Sequence, residues 1–336
     1  MHVPVWVWLV TSLAFLGLFV FDFYAHVRTP HAPSFRESVR WSAFYVVLAL
    51  LFGLGMGVVW GWDHGSEYLA GYVTEKSLSA DNLFVFLVIM TKFAVPRIYQ
   101  QKVLLVGVAI ALLLRTGFII AGAAAISTFH WVFYLFGAFL IWTAIKVARE
   151  DHDSGAVEEY RENRLVRTVR RVLPTTTQYH GDRLLARVDG RRHLTPMLVV
   201  MVAIGSTDVL FALDSIPAIF GLTKEPYIVF TTNAFALLGL RQLYFLLGGL
   251  LKRLVYLSEG LSIILGFIGV KMVLEALHTN EVPFVNGGEP VAWAPEVPTW
   301  FSLGFIVLTL AVATGASLLA TRRKARAEAL GTSEEA

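Results

Sequence analysis

The chain contains no cysteine, which removes disulfides, thiolate metal ligands and cysteine nucleophiles and leaves no trace of a redox compartment. Charge is scarce too: 16% of the 336 residues are Asp, Glu, Lys or Arg, where about a quarter is usual for a soluble domain. No run of histidines stands in for the missing thiols, which argues against zinc and copper sites. What fills the chain instead is apolar: 56% of residues are hydrophobic and the mean hydropathy is +0.63, the composition of a polytopic membrane protein. The pI near 9.1 does not point to nucleic acid, because the basic residues lie between hydrophobic runs rather than on a soluble surface.

Apolar runs long enough to cross a bilayer fall near 4–24, 41–60, 67–91, 103–124, 131–148, 195–220, 228–249, 254–275 and 300–320. The expected fold is all-α, with about nine transmembrane helices. With the N-terminus outside, 23 of the 28 Lys and Arg fall in inner segments, Lys224 alone falls outside, and Lys76, Arg115, Arg241 and Lys271 lie within spans. The positive-inside bias therefore predicts an N-out, C-in orientation. The first run has no basic residue ahead of it and no small-residue cleavage site, so it is expected as a retained span.

The expected organisation is two N-terminal helices over 1–66, a first repeat over 67–150, a cytoplasmic basic linker over 151–194, a second repeat over 195–275, an outer loop over 276–299 and a last helix with a basic tail over 300–336. In the linker, Arg167, Arg170 and Arg171 have the spacing of a helix lying on anionic headgroups. A solvated linker obeying the same charge bias is the simpler reading and is preferred. The outer loop, rich in Pro and Gly, carries Glu281, Glu289 and Glu296.

Two stretches interrupt this apolar landscape. Glu75-Lys76-Ser77-Leu78-Ser79-Ala80-Asp81-Asn82 and Asp208-Val209-Leu210-Phe211-Ala212-Leu213-Asp214-Ser215 each place two acids six residues apart inside a hydrophobic span. Ionised carboxylates in hydrocarbon cost at least a few kcal/mol, so they mark functional sites by default. Aligning the two motifs also aligns Arg115 with Arg241 in the next span and Lys146 with Lys271 in the one after. This ordered series predicts a duplication of three helices, and under the N-out orientation the copies have inverted topology. Inverted repeats place a substrate between two halves that open alternately to either side.

Positions six apart on a regular helix are displaced by roughly 240°, so the motif helices are expected to break, the second at Pro217, which removes a backbone donor. Carboxylates and freed carbonyls would make an oxygen-rich cage suited to Mn²⁺, Mg²⁺ or Ca²⁺. The expected metal ligands are Glu75, Asp81, Asp208 and Asp214, with Asn82 and Asn233 as neutral oxygens. Ser215 could also contribute, while Thr231 and Thr232 fit interhelical hydrogen bonds better. Lys76, Arg115, Arg241 and Lys271 would balance charge or gate the site, with Lys271 paired to Glu275 four residues on. Glu259 is expected at an interface near the inner end of the eighth span. Asp63, His64 and Glu67 would form no more than an outer vestibule.

The run Gly65-Ser66-Glu67-Tyr68 leading to Gly71 through Asn82, together with Ser206-Thr207-Asp208 to Asp214-Ser215-Ile216-Pro217-Ala218-Ile219, resembles the TerC family. These are bacterial integral membrane proteins named for tellurium resistance that include Alx-like manganese exporters. The resemblance runs from about Trp41 to Glu275 and implies Mn²⁺ efflux across the bacterial inner membrane, with Glu75, Asp81, Asp208 and Asp214 at the family's acidic positions. Tellurite is a poor cargo for such a site, since carboxylates repel an oxyanion. Acids crowded in a dry site can trade a metal for protons, so proton antiport is expected, with no prosthetic group and no enzymatic activity. The alternative is a non-transporting membrane scaffold that binds metal or partner proteins in a tellurite or metal-stress response, with the basic linker as its docking surface. An intramembrane aspartyl protease is weaker, because four acids with amides around them suit coordination better than a proton-sharing dyad.

Overall fold

In the computed structural model the apolar runs become helices, and the structure describes residues 1–27, 31–129, 131–149, 167, 174–176, 178–188, 191–247, 255–280, 282–283, 285–291 and 293–331. They form α1 (Val5–Asp22), α2 (Phe35–Trp60), α3 (Trp62–Lys92), α4 (Arg97–Thr128) and α5 (Val132–Arg149), then a hairpin of β1 (Leu185–Val188) and β2 (Arg191–Leu194). Helices α6 (Pro196–Phe220), α7 (Pro226–Leu237), α8 (Leu240–Leu247), α9 (Leu257–His278) and α10 (Thr299–Gly331) follow. The protein is an all-α polytopic membrane protein. Seven described helices are long and apolar enough to cross a membrane: α1, α2, α4, α5, α6, α9 and the Thr299–Thr321 part of α10. The expected third span is a continuous helix of 31 residues, α3, too rich in charge to meet that criterion. The expected seventh is divided into α7 and α8.

Local chemistry explains the helix ends. Ser34 and Glu37 form a capping box at the start of α2, and Pro196 and Pro226 open α6 and α7 where no backbone donor is needed. The break between α7 and α8 falls at Leu238, which is extended, and Gly239, with φ of +78°. A Cβ at Gly239 would stand 3.1 Å from Tyr45 Cβ, so glycine is required both by the turn and by the close approach of α2.

That break corrects an expectation. Both motif helices are continuous: α3 runs through Ser77 and Ser79, and α6 runs through Pro217. Ser77 returns its hydroxyl to Val73 O, 2.7 Å away in its own helix, a local bond that a helix accommodates. Pro217 removes one backbone donor from the last turn of α6 without interrupting the helix.

The packing of the two expected triplets is symmetric under their exchange. Helix α5 lies against α9, α3 against α6, and the pair α3 with α7 has its counterpart in α4 with α6. The α5–α9 crossing is tight because Gly137 and Gly269 face each other; a Cβ on Gly137 would lie 2.8 Å from Gly269 O, and one on Gly269 would lie 2.9 Å from Gly137 O. Helices α1 and α2 stand outside the triplets, α2 packing on α3, α7 and α8.

Most of the expected basic linker, including Arg170 and Arg171, lies outside the described residues, and Arg167 is helical. Of the described part, the segment 178–188 is tied to the α3–α4 connection. Tyr179 donates its hydroxyl to Phe93 O at 2.7 Å and Lys102 Nζ reaches Asp182 Oδ2 at 2.7 Å. The Lys102 hydrogen bond holds the Asp182 carboxyl below the usual carboxylate range.

Candidate functional site

Four helices bring a single guanidinium between the first acids of the two motifs. Glu75 on α3, Arg115 on α4, Asp208 on α6 and Asn233 on α7 are all buried, none more than 1% exposed. Arg115 Nε and Nη2 donate to Asp208 Oδ2 and Oδ1 at 2.8 and 3.1 Å, a forked pair that occupies both oxygens. Arg115 Nη1 faces Glu75 Oε1, Asn233 Oδ1 at 2.9 Å and Ser215 Oγ at 3.2 Å. Asn233 is oriented by its own amide, which donates to Val229 O at 3.0 Å and leaves Oδ1 to the guanidinium. Ser79 Oγ lies 3.4 Å from Glu75 Oε1, while Glu75 Oε2 has no hydrogen-bond partner among the described residues.

With both acids ionised the cluster carries a net negative charge in a water-excluded interior. Burying charges costs several kcal/mol each unless partners replace the lost hydration, and Asp208 is fully provided for where Glu75 is not. The open oxygen of Glu75 and the single amide oxygen of Asn233 are of the kind that hard cations prefer. The guanidinium occupies the position between the two acids.

The remaining expected residues are distributed differently. Asp214, half-buried on the far side of α6, lies 3.5 Å from Thr143 Oγ1 and beside Lys146 on α5, as the roughly 240° separation requires. Asn82 is buried two helical turns beyond Glu75 and makes none of the cluster's bonds. The side chain of Asp81 lies outside the described residues. Among the described residues no group of three or more His, Asp or Glu side chains converges on one metal position, so the expected four-acid cage appears as a two-acid cluster around Arg115. Thr231 and Thr232 bond carbonyls of their own helix, Tyr227 O at 2.8 Å and Ile228 O at 2.9 Å, rather than bridging helices.

The basic residues take distinct roles. Lys76, next to Glu75, donates to Ala236 O at 3.0 Å and Leu238 O at 3.3 Å, satisfying carbonyls freed by the break after α7. Arg241, the counterpart of Arg115, pairs with Asp22 at the end of α1, 2.7 Å away. Sequence reasoning missed Asp22, since a carboxylate at the end of an apolar run looks interfacial. The only signal was its place as the first acid of the chain. The expected Lys271–Glu275 pair is corrected: Glu275 is held by Lys224. Glu259 sits half-buried in the first turn of α9.

Two cavities lie at opposite ends of α3, and neither is lined by a residue of the cluster. One, of about 460 Å³, is lined by residues including His64, Glu67, Thr223, Lys224, Lys271 and Glu275, with Thr223 Oγ1 donating to Glu67 Oε2 at 2.6 Å. Asp63 is exposed and does not line it. The other, of about 480 Å³, lies at the basic end between Leu87, Thr91, Arg97, Gln100, Tyr244 and Phe245. At a rise of 1.5 Å per residue, Glu75 stands about 12 Å along α3 from Glu67 and about 18 Å from Leu87.

Comparison with known proteins bears on this arrangement. The sequence profile of the integral membrane protein TerC family matches residues 60–325. An uncharacterized membrane protein of Mycobacterium tuberculosis is 51% identical over 321 residues, covering 95% of this chain and 81% of that protein. A Photorhabdus laumondii protein with the provisional name membrane-bound redox modulator Alx is 41% identical over 255 residues, 74% of this chain and 79% of its own. The thylakoid membrane protein TERC of Arabidopsis thaliana is 40% identical over 242 residues, 72% of this chain and 62% of its own. No solved structure matches the chain.

Proposed function

We propose that this chain, which belongs to the TerC family of integral membrane proteins, is a secondary transporter that exports divalent manganese from the cytosol by alternating access, with protons moving the other way. The observation that carries the reading is the clamp of one guanidinium between Glu75 and Asp208, one acid from each triplet, with a cavity at each end of α3. The exchange symmetry of the helix packing supports two halves that rock about this cluster. In the empty state Arg115 bridges the two acids and offsets one of their two charges. Cargo takes its place, with Glu75 Oε2 and Asn233 Oδ1 as first contacts, and Arg115 returns when the ion leaves.

Asp81, Asn82 and Asp214 are assigned as further oxygen ligands along the route. The inward face is taken to be the basic one, which places the N-terminus outside and the C-terminus inside a bacterial plasma membrane, the basic segments lying near anionic headgroups. No prosthetic group or catalytic step is invoked. Uptake of Mn²⁺ into inverted membrane vesicles, with and without an imposed pH gradient, tests the reading: gradient-stimulated uptake is expected. Uptake that ignores the gradient would remove the antiport part, and no uptake above vesicles lacking the protein would remove transport altogether.

A further inference from the structure

Arg241 is a second buried guanidinium, and its partners belong to neither acidic motif. Asp22 Oδ1 receives Arg241 Nη2 at 2.7 Å, the Tyr45 hydroxyl at 3.0 Å and Gln242 Nε2 at 3.3 Å. Arg241 Nη1 donates to Gln101 Oε1, and Gln101 Nε2 in turn donates to His31 O at 2.6 Å. The network ties α1, α2 and α4 to α8 with both charged side chains no more than 5% exposed. Apolar side chains of the same shape would hold these helices as well or better, because the ions lose their hydration. A charged tie in an apolar place is suited to being released.

The surroundings fit release. Ser38 Oγ, Arg241 Nε and Gln242 Oε1 are buried without a hydrogen-bond partner among the described residues, and all three residues line a cavity of about 10 Å³, room for about one water. That cavity shares Pro33 and Phe245 with the larger basic-end cavity. Helix α8 connects the two regions: it begins just past Leu238 O, which Lys76 beside Glu75 holds, and its Tyr244 and Phe245 form the cavity wall. The Asp22 network holds it through its own Arg241 and Gln242, and the Gly239 turn separates it from α7.

Building on the transport reading, we propose that Asp22, acting through Arg241, is the latch of a basic-end gate: the pair holds α8 across the approach to the Glu75–Arg115–Asp208 cluster, and the approach opens when the pair parts. Asp22 is a positioning residue that touches no cargo. Helix α1, which lies outside residues 60–325 matched by the family profile, thereby controls access to a site built entirely within them.

The absence of cysteine makes the test direct. Ser38→Cys puts a single thiol on the small cavity, and its rate of modification by a membrane-impermeant maleimide is read in inverted vesicles. Slow labelling is expected with Asp22 intact, and labelling at least ten-fold faster in Asp22→Asn. Tyr45→Phe, which removes one donor to Asp22, should give an intermediate rate and carries the test if Asp22→Asn does not accumulate. Replacing the pair together, Asp22→Leu with Arg241→Met, should restore slow labelling. The control is Ser317→Cys, fully buried near the basic end of α10, which should stay slow throughout. An unchanged Ser38→Cys rate in folded variants overturns the latch, and so does equal acceleration at Ser317→Cys, which marks general loosening. Labelling needs no cargo, so Mn²⁺ flux in the same vesicles reports separately on transport.

Discussion

Asp208 gives both carboxylate oxygens to Arg115, at 2.8 and 3.1 Å, a forked contact between α4 and α6 that no water reaches. Removing the guanidinium leaves two buried acids facing each other. Breaking a buried pair from one side costs about 3–5 kcal/mol, so Arg115→Met should lower the melting temperature strongly. On the account above Mn²⁺ takes the place of the guanidinium, so adding Mn²⁺ should recover more stability in Arg115→Met than in the parent. Thermal melts in detergent across a Mn²⁺ series check this, and a variant indifferent to Mn²⁺ would contradict it.

The two acids should respond unequally. Asp208→Asn breaks the fork and strands Arg115, whereas Glu75→Gln loses one oxygen contact and leaves the fork in place. The expected order of destabilisation is Asp208→Asn beyond Glu75→Gln by about 1–3 kcal/mol, the scale of an unmet buried charged bond. Thermal or denaturant melts of the purified variants give the comparison, and equal losses would argue against the forked geometry.

Lys76 should matter through the backbone break. Lys76→Met strands Ala236 O and Leu238 O, and each unsatisfied buried carbonyl costs on the order of 1–3 kcal/mol. Hydrogen exchange in 236–241 should accelerate while the centre of α4 stays protected. Uniform exchange across both segments would remove this role.

The docking of Asp182 on Lys102 carries a weak acid sensitivity. Lys102 holds the Asp182 carboxyl below its ordinary range, so the pair's contribution is complete above the ordinary carboxylate value of about 3.9. It is lost as pH falls through the depressed value in the folded protein. Asp182 is 47% exposed, so the effect is a small, salt-screened one. Limited proteolysis near the hairpin should rise only below about pH 4, and Lys102→Met should abolish that step.

The acids, Arg115 and Asn233 were legible because polar groups inside apolar runs demand partners, and the matching order of charges in successive runs marked the two triplets that pack symmetrically. Partner choice was less legible. Arg241 was expected to balance the charge of the acidic site, but it turns to Asp22 on a helix far away in sequence, while Asp214 faces Thr143 and Lys146. The break was misplaced for a related reason: Pro217 carries the stronger local signal, yet α6 runs on through it to Phe220. Gly239 is decisive because α2 crowds it at Tyr45, a contact no local pattern reveals. The β1–β2 hairpin lies inside a stretch dominated by arginines, and the turn before it is tied to the α3–α4 connection by Tyr179 and Asp182, contacts equally hidden from any local pattern.

The central claim is that Glu75 and Asp208 together receive one divalent cation in exchange for Arg115. Titrating Mn²⁺ into purified protein and following the free-ion electron paramagnetic resonance signal tests it most directly. The account predicts about one site per chain in the parent, weakened at least ten-fold by either Glu75→Gln or Asp208→Asn and little changed by Glu67→Gln; about 1.4 kcal/mol separates these outcomes. Folded Glu75→Gln and Asp208→Asn proteins that bind Mn²⁺ as the parent does would contradict it.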